Sequence, residues 1–333
     1  MNITFSDVFI TVFFLLLLAI PGFIFAKIKA FPEKASEAFS VLVLYGCQPV
    51  LIITSFQSKE YVPALGLNIL YVAAFALLAH LIMFALLKLI FFKRSKEDKI
   101  RIVRYAGVFS NCGFMGFPFL QSLFSGGELL PEIMIYGAVV IAVFNVLNWT
   151  FGVYILTGDV REISVKKILL NPVIISVFIG VFLFFVLKKP LVALATEGTF
   201  CYNALSKLMQ SLNFISDTVT PLSMTVIGIK LANINLRQLL FDGWGYVSAA
   251  LKLILMPMVV LLSVAFLPID VTVKYTLFFL LGMPSATSTA MFAVKFGKDA
   301  DFASVCVLLS TVLSIVTIPP MYLVISGIFG ITI

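Results

Sequence analysis

Apolar segments follow one another along nearly the whole chain and are separated by short polar loops. Each is close to the roughly 20 residues that a helix needs to cross about 30 Å of hydrocarbon. The pattern predicts an all-α polytopic membrane protein, because a membrane barrel would instead show short alternating segments. The ten predicted spans are residues 6–26, 36–57, 65–92, 101–121, 131–156, 171–188, 206–230, 243–267, 273–295 and 300–328.

The fourth and ninth spans are interrupted near their middle by glycine, proline and small polar residues. The sequences are SNCGFMGFP at residues 110–118 and LGMPSATST at residues 281–289. Proline removes a backbone donor, and glycine lets the chain leave helical geometry, so both segments should expose peptide groups at mid-membrane. Such groups must line a protein cavity or a hydrated site. Paired interruptions of this kind indicate the binding site of a transporter.

The ten spans divide into two sets of five, and an odd number per set makes any internal repeat inverted. Prolines support such a repeat, since Pro49 and Pro118 in the second and fourth spans correspond to Pro221 and Pro284 in the seventh and ninth. The sequence therefore predicts a first five-helix repeat at 1–157, a short cytoplasmic connector at 158–170, and a second, inverted repeat at 171–333.

Basic residues predict the topology. The chain is 61% hydrophobic and 12% charged, with a net charge of +7 and a mean hydropathy of +1.13. With the N-terminus outside, inside loops hold 17 of the 23 basic residues, outside loops hold 5, and Lys252 lies within a span. The positive-inside rule then predicts a multi-pass protein of the cytoplasmic membrane with both termini outside. The positive charge is explained by topology, so no nucleic-acid partner is expected.

The two interruptions supply the candidate substrate site. Half-helix N-termini present N–H groups and positive dipole ends, which suit a carboxylate. Asn111 is the polar side chain best placed to bond a substrate in the first interruption. The predicted substrate-binding residues are Asn111, Gly113, Gly116, Pro118, Pro284, Ser285 and Thr287. The alternative is a pair of proline kinks whose hydroxyl groups bond back to their own helices.

Five further polar residues lie inside predicted spans, where they are costly and usually face the protein interior. Asp217, His80, Asn145, Asn148 and Lys252 are the candidates for ion or proton coupling. Each has a structural alternative. The two asparagines can join helices, Asp217 can cap a helix near the outer surface, and His80 can pack as a neutral side chain. Lys252 can extend to the interface or pair with an internal acid.

Sequence signatures of enzymes are missing from the chain. It has no His-Glu-x-x-His motif, no phosphate-binding glycine-rich loop and no paired intramembrane aspartates. The four cysteines have no metal-ligand spacing and are expected to pack as small apolar side chains. We therefore expect no enzymatic activity, no metal site and no cofactor. Transport would be driven by an ion gradient or be passive.

Several stretches together resemble the auxin efflux carrier family of membrane transporters, and they cover nearly the whole chain in the family order. They are Asn111-x-Gly113-Phe114-x-Gly116-x-Pro118, Asn171-Pro172, Thr220-Pro221-Leu222 with Gly228 and Leu231, Pro284-Ser285-Ala286 through Phe296-Gly297, and Leu309-Ser310-Thr311 with Pro319. The resemblance implies a ten-helix inverted repeat with a scaffold domain, often a dimer interface. It also implies a transport domain that contains both interrupted spans and moves across the membrane like an elevator. Asn111, Pro118 and Pro284 would lie at the binding site.

The resemblance also implies organic anion substrates, which are auxin in plants and malate- or malonate-like acids in bacterial members. This chain has a short connector, and its third span is apolar except for His80, which favours a short bacterial-type carrier. The expectation is thus a permease for small organic carboxylates, coupled to H⁺ or Na⁺ or acting as a uniporter. The alternatives are a sodium-coupled symporter of the bile-acid type and a membrane sensor that binds an anion without translocating it.

Overall fold

Helices make up nearly all of the regular structure in the computed structural model, which describes residues 3–234 and 236–329. They are α1 Phe5–Leu17, α2 Ile20–Lys27, α3 Ala35–Leu42, α4 Gln48–Phe56, α5 Pro63–Ile90, α6 Asp98–Val108, α7 Phe117–Leu123, α8 Leu130–Leu147, α9 Val153–Thr157, α10 Val165–Leu169, α11 Pro172–Leu187, α12 Phe200–Asp217, α13 Val219–Asn233, α14 Leu236–Phe241, α15 Gly243–Ala250, α16 Met256–Val264, α17 Val271–Gly282, α18 Ser288–Lys295 and α19 Ala300–Phe329. Short 3₁₀ turns lie at Phe92–Arg94, Val160–Glu162 and Leu191–Leu194. Among the described residues, the only β-type backbone pairing is a single bridge between Ser110 and Ser285.

Seven continuous helical segments of the described chain are long and apolar enough to cross a membrane. They are Phe5–Lys27, Ala35–Phe56, Pro63–Ile90, Leu130–Thr157, Pro172–Leu194, Gly243–Val264 and Ala300–Ile328. Each overlaps one predicted span, namely the first, second, third, fifth, sixth, eighth and tenth. The prediction of an all-α polytopic membrane protein is therefore confirmed.

The other three predicted spans consist of shorter helices. The fourth is divided between α6 and α7, and the ninth between α17 and α18, as the interruptions predicted. The seventh differs from the single helix expected at 206–230, because α12 and α13 meet at Thr218. Asn203, Lys207 and Gln210 form a polar stripe along α12, so this helix is amphipathic rather than uniformly apolar. The total of ten spans and the inverted repeat stay predictions.

The described chain contains four π-helical turns, and three of them precede a proline at the same distance. The turns Val43–Cys47, Cys112–Gly116 and Leu251–Leu255 are each followed by one residue and then by Pro49, Pro118 and Pro257, respectively. A proline cannot bond the carbonyl four residues earlier and its ring pushes that carbonyl away. The displaced carbonyl lies inside the turn in each case, which explains the local widening. The fourth turn, Asn148–Gly152, has no following proline.

Most helices form two packed groups with the candidate site between them. The first group contains α2–α4 and α11–α13, and the second contains α5–α9 and α15–α19. Helix α1, which continues into α2, packs against α7 and α19 of the second group. Within the first group, α2 and α13 cross in close backbone contact at Gly22 and Gly228. A Cβ on Gly228 would lie 2.0 Å from the carbonyl oxygen of Ala19, so only glycine allows this approach. Small residues are the usual means of close helix packing in membranes.

Candidate functional site

The two interrupted spans meet and pair with each other through their backbones. Ser110 and Ser285 form an antiparallel bridge. The N–H of Asn111 donates to the carbonyl of Pro284 at 2.7 Å, and the N–H of Ala286 donates to the carbonyl of Phe109 at 2.9 Å. These bonds satisfy peptide groups that the breaks release from helical bonding. The non-helical backbone is therefore hydrogen-bonded inside the protein, as it must be because unpaired peptide groups cannot face lipid.

Lys252 lies at this crossing and is fully buried. Its Nζ donates to the carbonyl of Leu281 at 3.0 Å, to the carbonyl of Val108 at 3.4 Å, and to Ser110 Oγ. Val108 ends α6 and Leu281 lies in the last turn of α17, so the ammonium group sits at two negative dipole ends. Neither sequence alternative for Lys252 holds, because the side chain neither extends to the interface nor pairs with an acid.

A cavity of about 90 Å³ lies beside the crossing, between the two groups of helices. The first group contributes Leu44, Tyr45, Gln48 and the segment 171–173. The second contributes the remaining wall, including Asn111 and four aromatic side chains: Phe114, Phe144, Trp149 and Phe292. None of the residues that line this cavity carries a formal charge.

Two buried side-chain amides at the cavity lack hydrogen-bond partners within the described chain. Asn111 is 3% exposed and its Nδ2 has no partner, and Gln48 is 1% exposed and its Oε1 has none. Buried polar groups are normally bonded, so each unpaired amide indicates a group that a ligand can satisfy. The other cavity asparagines differ, because Asn145 Nδ2 donates to the carbonyl of Ile141 at 2.8 Å and Asn148 Oδ1 accepts from Tyr105.

The ends of two half-helices add positive potential at the cavity. The π-helical turn at Cys112–Gly116 and helix α18 both begin there, with Gly113, Phe114, Thr287 and Ser288 in the wall. The first N–H groups of a helix have no intrahelical acceptor, and they carry the positive end of the dipole. An uncharged wall with two such ends favours an anion that has an apolar portion.

The structure brings together five of the residues predicted from sequence: Asn111, Gly113, Thr287, Asn145 and Asn148 all line the cavity. The other four candidates for the substrate site lie just behind the wall. Pro284 supplies the carbonyl that Asn111 bonds, and the N–H of Ser285 donates to Ser310 Oγ at 3.0 Å. Gly116 packs against Leu280, and Pro118 lies in the first turn of α7. All of these roles stay predictions.

His80 and Asp217 do not reach the cavity. His80 is buried in α5, with Nδ1 2.7 Å from the carbonyl of Ala76 and its ring against Phe109. Asp217 ends α12 in an exposed position, and the N-cap of α13 is Thr218 without a side-chain cap bond. The wall also contains Gln48 and Asn171, which sequence reasoning had not proposed. Both directly precede a proline, Gln48 inside the second predicted span and Asn171 at the start of the sixth, and this pattern was their signal in the sequence.

Among the described residues, no group of three or more His, Cys, Asp or Glu side chains could hold a metal ion.

A sequence model of one protein family, described as "Membrane transport protein", matches residues 7–159 and 156–322. The chain is 23% identical over 322 residues to a Rhizobium meliloti protein named "Putative malonate transporter", covering 92% of each chain. It is also 23% identical over 328 residues to an uncharacterized transporter of Methanocaldococcus jannaschii, covering 94% of this chain and 96% of the relative.

Proposed function

The chain belongs to the auxin efflux carrier family of membrane transport proteins, and we propose that it carries a small organic carboxylate through the cavity between its two groups of helices. The relative named for malonate supports a carboxylate substrate. The size of the cavity, about 90 Å³, supports a small one.

The unpaired amide of Asn111 is the observation that carries this proposal. Its Nδ2 is buried without a partner at a cavity whose wall is uncharged. A carboxylate oxygen would complete that hydrogen bond, and the two half-helix N-termini would stabilise the negative charge. Lys252 lies directly behind the wall, since its Nζ donates to Ser110 Oγ, and Ser110 lines the cavity.

The position of the cavity supports alternating access by an elevator-like movement. Its walls come from two groups of helices that pack mainly within themselves. The first group includes the close α2–α13 crossing, which suits a static scaffold. The second contains both interrupted spans, so a shift of this group relative to the first would carry the binding residues across the membrane.

The first experiment is transport in proteoliposomes with purified protein. The substrates are malonate, malate, indole-3-acetate and a bile acid, each tested with and without a pH gradient. We expect saturable uptake of one acid, weakened roughly 10- to 150-fold in apparent affinity by Asn111→Ala, because a hydrogen bond to a charged group contributes about 1.5–3 kcal/mol. Thermal stability should not fall, since the amide has no partner to lose.

The matched control is Asn213→Ala, which removes an exposed asparagine of α12 far from the cavity wall. Equal uptake kinetics in wild type and Asn111→Ala would remove Asn111 from the site. Saturable binding without labelled-substrate counterflow would instead favour the sensor, the alternative function from a different class.

Lys252 occupies the position at which a coupled sodium ion would be expected to bind. Its ammonium bonds the carbonyls of Val108 and Leu281, and such carbonyls at broken helices are the ligands that a coupled cation would need. We propose that Lys252 is a built-in cation there and that uptake does not require Na⁺. Uptake should be equal in sodium and choline buffers and be lost in Lys252→Met, but not in the exposed control Lys207→Met. Uptake that needs sodium would support the symporter instead.

A further inference from the structure

A second cavity, separate from the candidate substrate site, lies where the ends of α5 and α9 meet the start of α6. Its volume is about 210 Å³. Four of its nine lining residues are basic and none is acidic: Lys88, Lys96, Arg101 and Arg104. We refer to it as the basic cavity. The charge pattern of the loops puts these helix ends on the inner side of the membrane.

Nearby carboxylates do not neutralise the basic cavity, because each is paired with a different base. Glu97 accepts two hydrogen bonds from Arg94, at 2.7 and 2.8 Å. Asp98 accepts from Lys298 at 2.6 Å, and Asp159 is bonded by Arg161. Within the described chain, no ion pair involves any of the four basic side chains of the cavity. Their positive charges are therefore free to bind an external anion.

Arg104 gives the strongest indication that the basic cavity is an anion-binding site. Its residue exposure is 6%, and its Nε has no hydrogen-bond partner among the described residues. A buried guanidinium without a counter-charge is costly, so this side chain indicates an anionic ligand. A guanidinium presents several donors in a fixed plane and suits the oxygens of a phosphate group.

Arg101 is held in place beside it. Its Nη1 donates to the carbonyl of Leu156 at 3.1 Å, near the end of α9. Gly158 follows that helix with φ +74°, and a Cβ there would lie 2.6 Å from Arg101 Nη2. Glycine is therefore required both by the left-handed backbone and by the space that the guanidinium occupies.

An exposed apolar surface adjoins the basic cavity. Leu89, Ile90 and Phe92 are 74%, 55% and 71% exposed, and Phe92 also lines the cavity. These residues lie at the end of a membrane-spanning helix, where hydrocarbon meets the headgroup layer. A ligand with a phosphate group and attached acyl chains would match both the charged interior and the apolar border.

We propose that the basic cavity binds the phosphate group of an anionic phospholipid at the inner side of the membrane. Basic pockets between membrane helices are suited to such headgroups. Phosphatidylcholine carries a phosphate as well, but its choline cation would be repelled by four uncompensated positive charges. The site is formed by α5, α6 and α9 of the second group, away from the wall of the candidate substrate site.

The test is lipid binding to the full-length protein in detergent, followed by native mass spectrometry and by thermal unfolding. The probes are dioleoylphosphatidylglycerol, dioleoylphosphatidylcholine, inorganic phosphate and glycerol 3-phosphate. We expect one tightly bound phosphatidylglycerol, with affinity at least about tenfold lower in Arg104→Gln and in Lys88→Gln. Lys88 is exposed, so the second variant keeps the test valid where the buried substitution harms folding.

Lys93→Gln is the matched control, because Lys93 is exposed in the 3₁₀ turn that follows α5 and does not line the cavity. It should bind phosphatidylglycerol like the wild type. Phosphate or glycerol 3-phosphate that binds as tightly as the lipid would overturn the lipid assignment and identify a soluble phosphate ester as the ligand. Equal phosphatidylglycerol affinity in wild type, Arg104→Gln and Lys88→Gln would overturn the site itself.

Discussion

Gly113 and Gln48 face each other across the two groups of helices, and their contact makes a sharp prediction. A Cβ on Gly113 would lie 2.6 Å from Gln48 Nε2 and 3.5 Å from its Cδ and Oε1. Because ordinary contact begins near 3.4 Å, the Gly113→Ala substitution must displace the Gln48 amide by about 0.8 Å. Gln48 is 1% exposed and borders the cavity, so we expect the displaced amide to take up space that the substrate needs.

Overpacking of this kind costs about 1–3 kcal/mol. If that cost falls on the bound state, the apparent affinity for substrate drops roughly 5- to 150-fold. Gln48→Ala removes the obstructing amide, so Gly113→Ala in that background should cost little. The two substitutions should therefore be strongly non-additive, as expected for side chains in direct contact.

The assay is substrate affinity from concentration-dependent uptake in proteoliposomes, measured for wild type, both single variants and the double variant. Gly46→Ala is the matched control, since its Cβ would meet only Leu42 Cδ1, at an ordinary 3.6 Å. Additive effects of Gly113→Ala and Gln48→Ala would refute the reasoning. So would a loss of affinity in Gly46→Ala as large as that in Gly113→Ala.

Two further predictions concern contacts that hold the helices in place. Gly228→Ala puts a Cβ 2.0 Å from the Ala19 carbonyl oxygen, so it should lower the unfolding temperature and expression, whereas Gly327→Ala has open space and should not. Tyr105→Phe removes the hydroxyl that bonds Asn148 and lies 2.9 Å from Ser288 Oγ. It should reduce stability by about 1–3 kcal/mol, because the buried Asn148 oxygen loses its donor, and it should slow uptake. Tyr246→Phe removes only an exposed hydrogen bond to the Leu240 carbonyl and should change neither.

The positions of seven long apolar helices and of the two breaks could be predicted from the sequence alone. Hydrocarbon thickness sets the length of an apolar helix, and a proline or glycine acts on the residues next to it. Both are local effects, so residues 110–118 and 281–289 were recognisable as interrupted. The family was recognisable for the same reason, since Asn111, Pro118 and Pro284 carry its pattern. The exception was the seventh span, which is divided into α12 and α13 at Thr218, because Pro221 cannot bond the carbonyl of Asp217.

Only the tertiary structure decided how these elements work together. Lys252 bonds Val108 across 144 residues and Leu281 across 29, and no local pattern predicts such partners. Gln48 begins α4 directly after a π-helical turn, and it reaches the cavity opposite Gly113, which lies 65 residues further along the chain. Sequence periodicity measures polarity along one helix, whereas a binding site depends on distances between helices. Those distances are set by packing of the whole chain, and here they determine which amides and cations meet at the crossing.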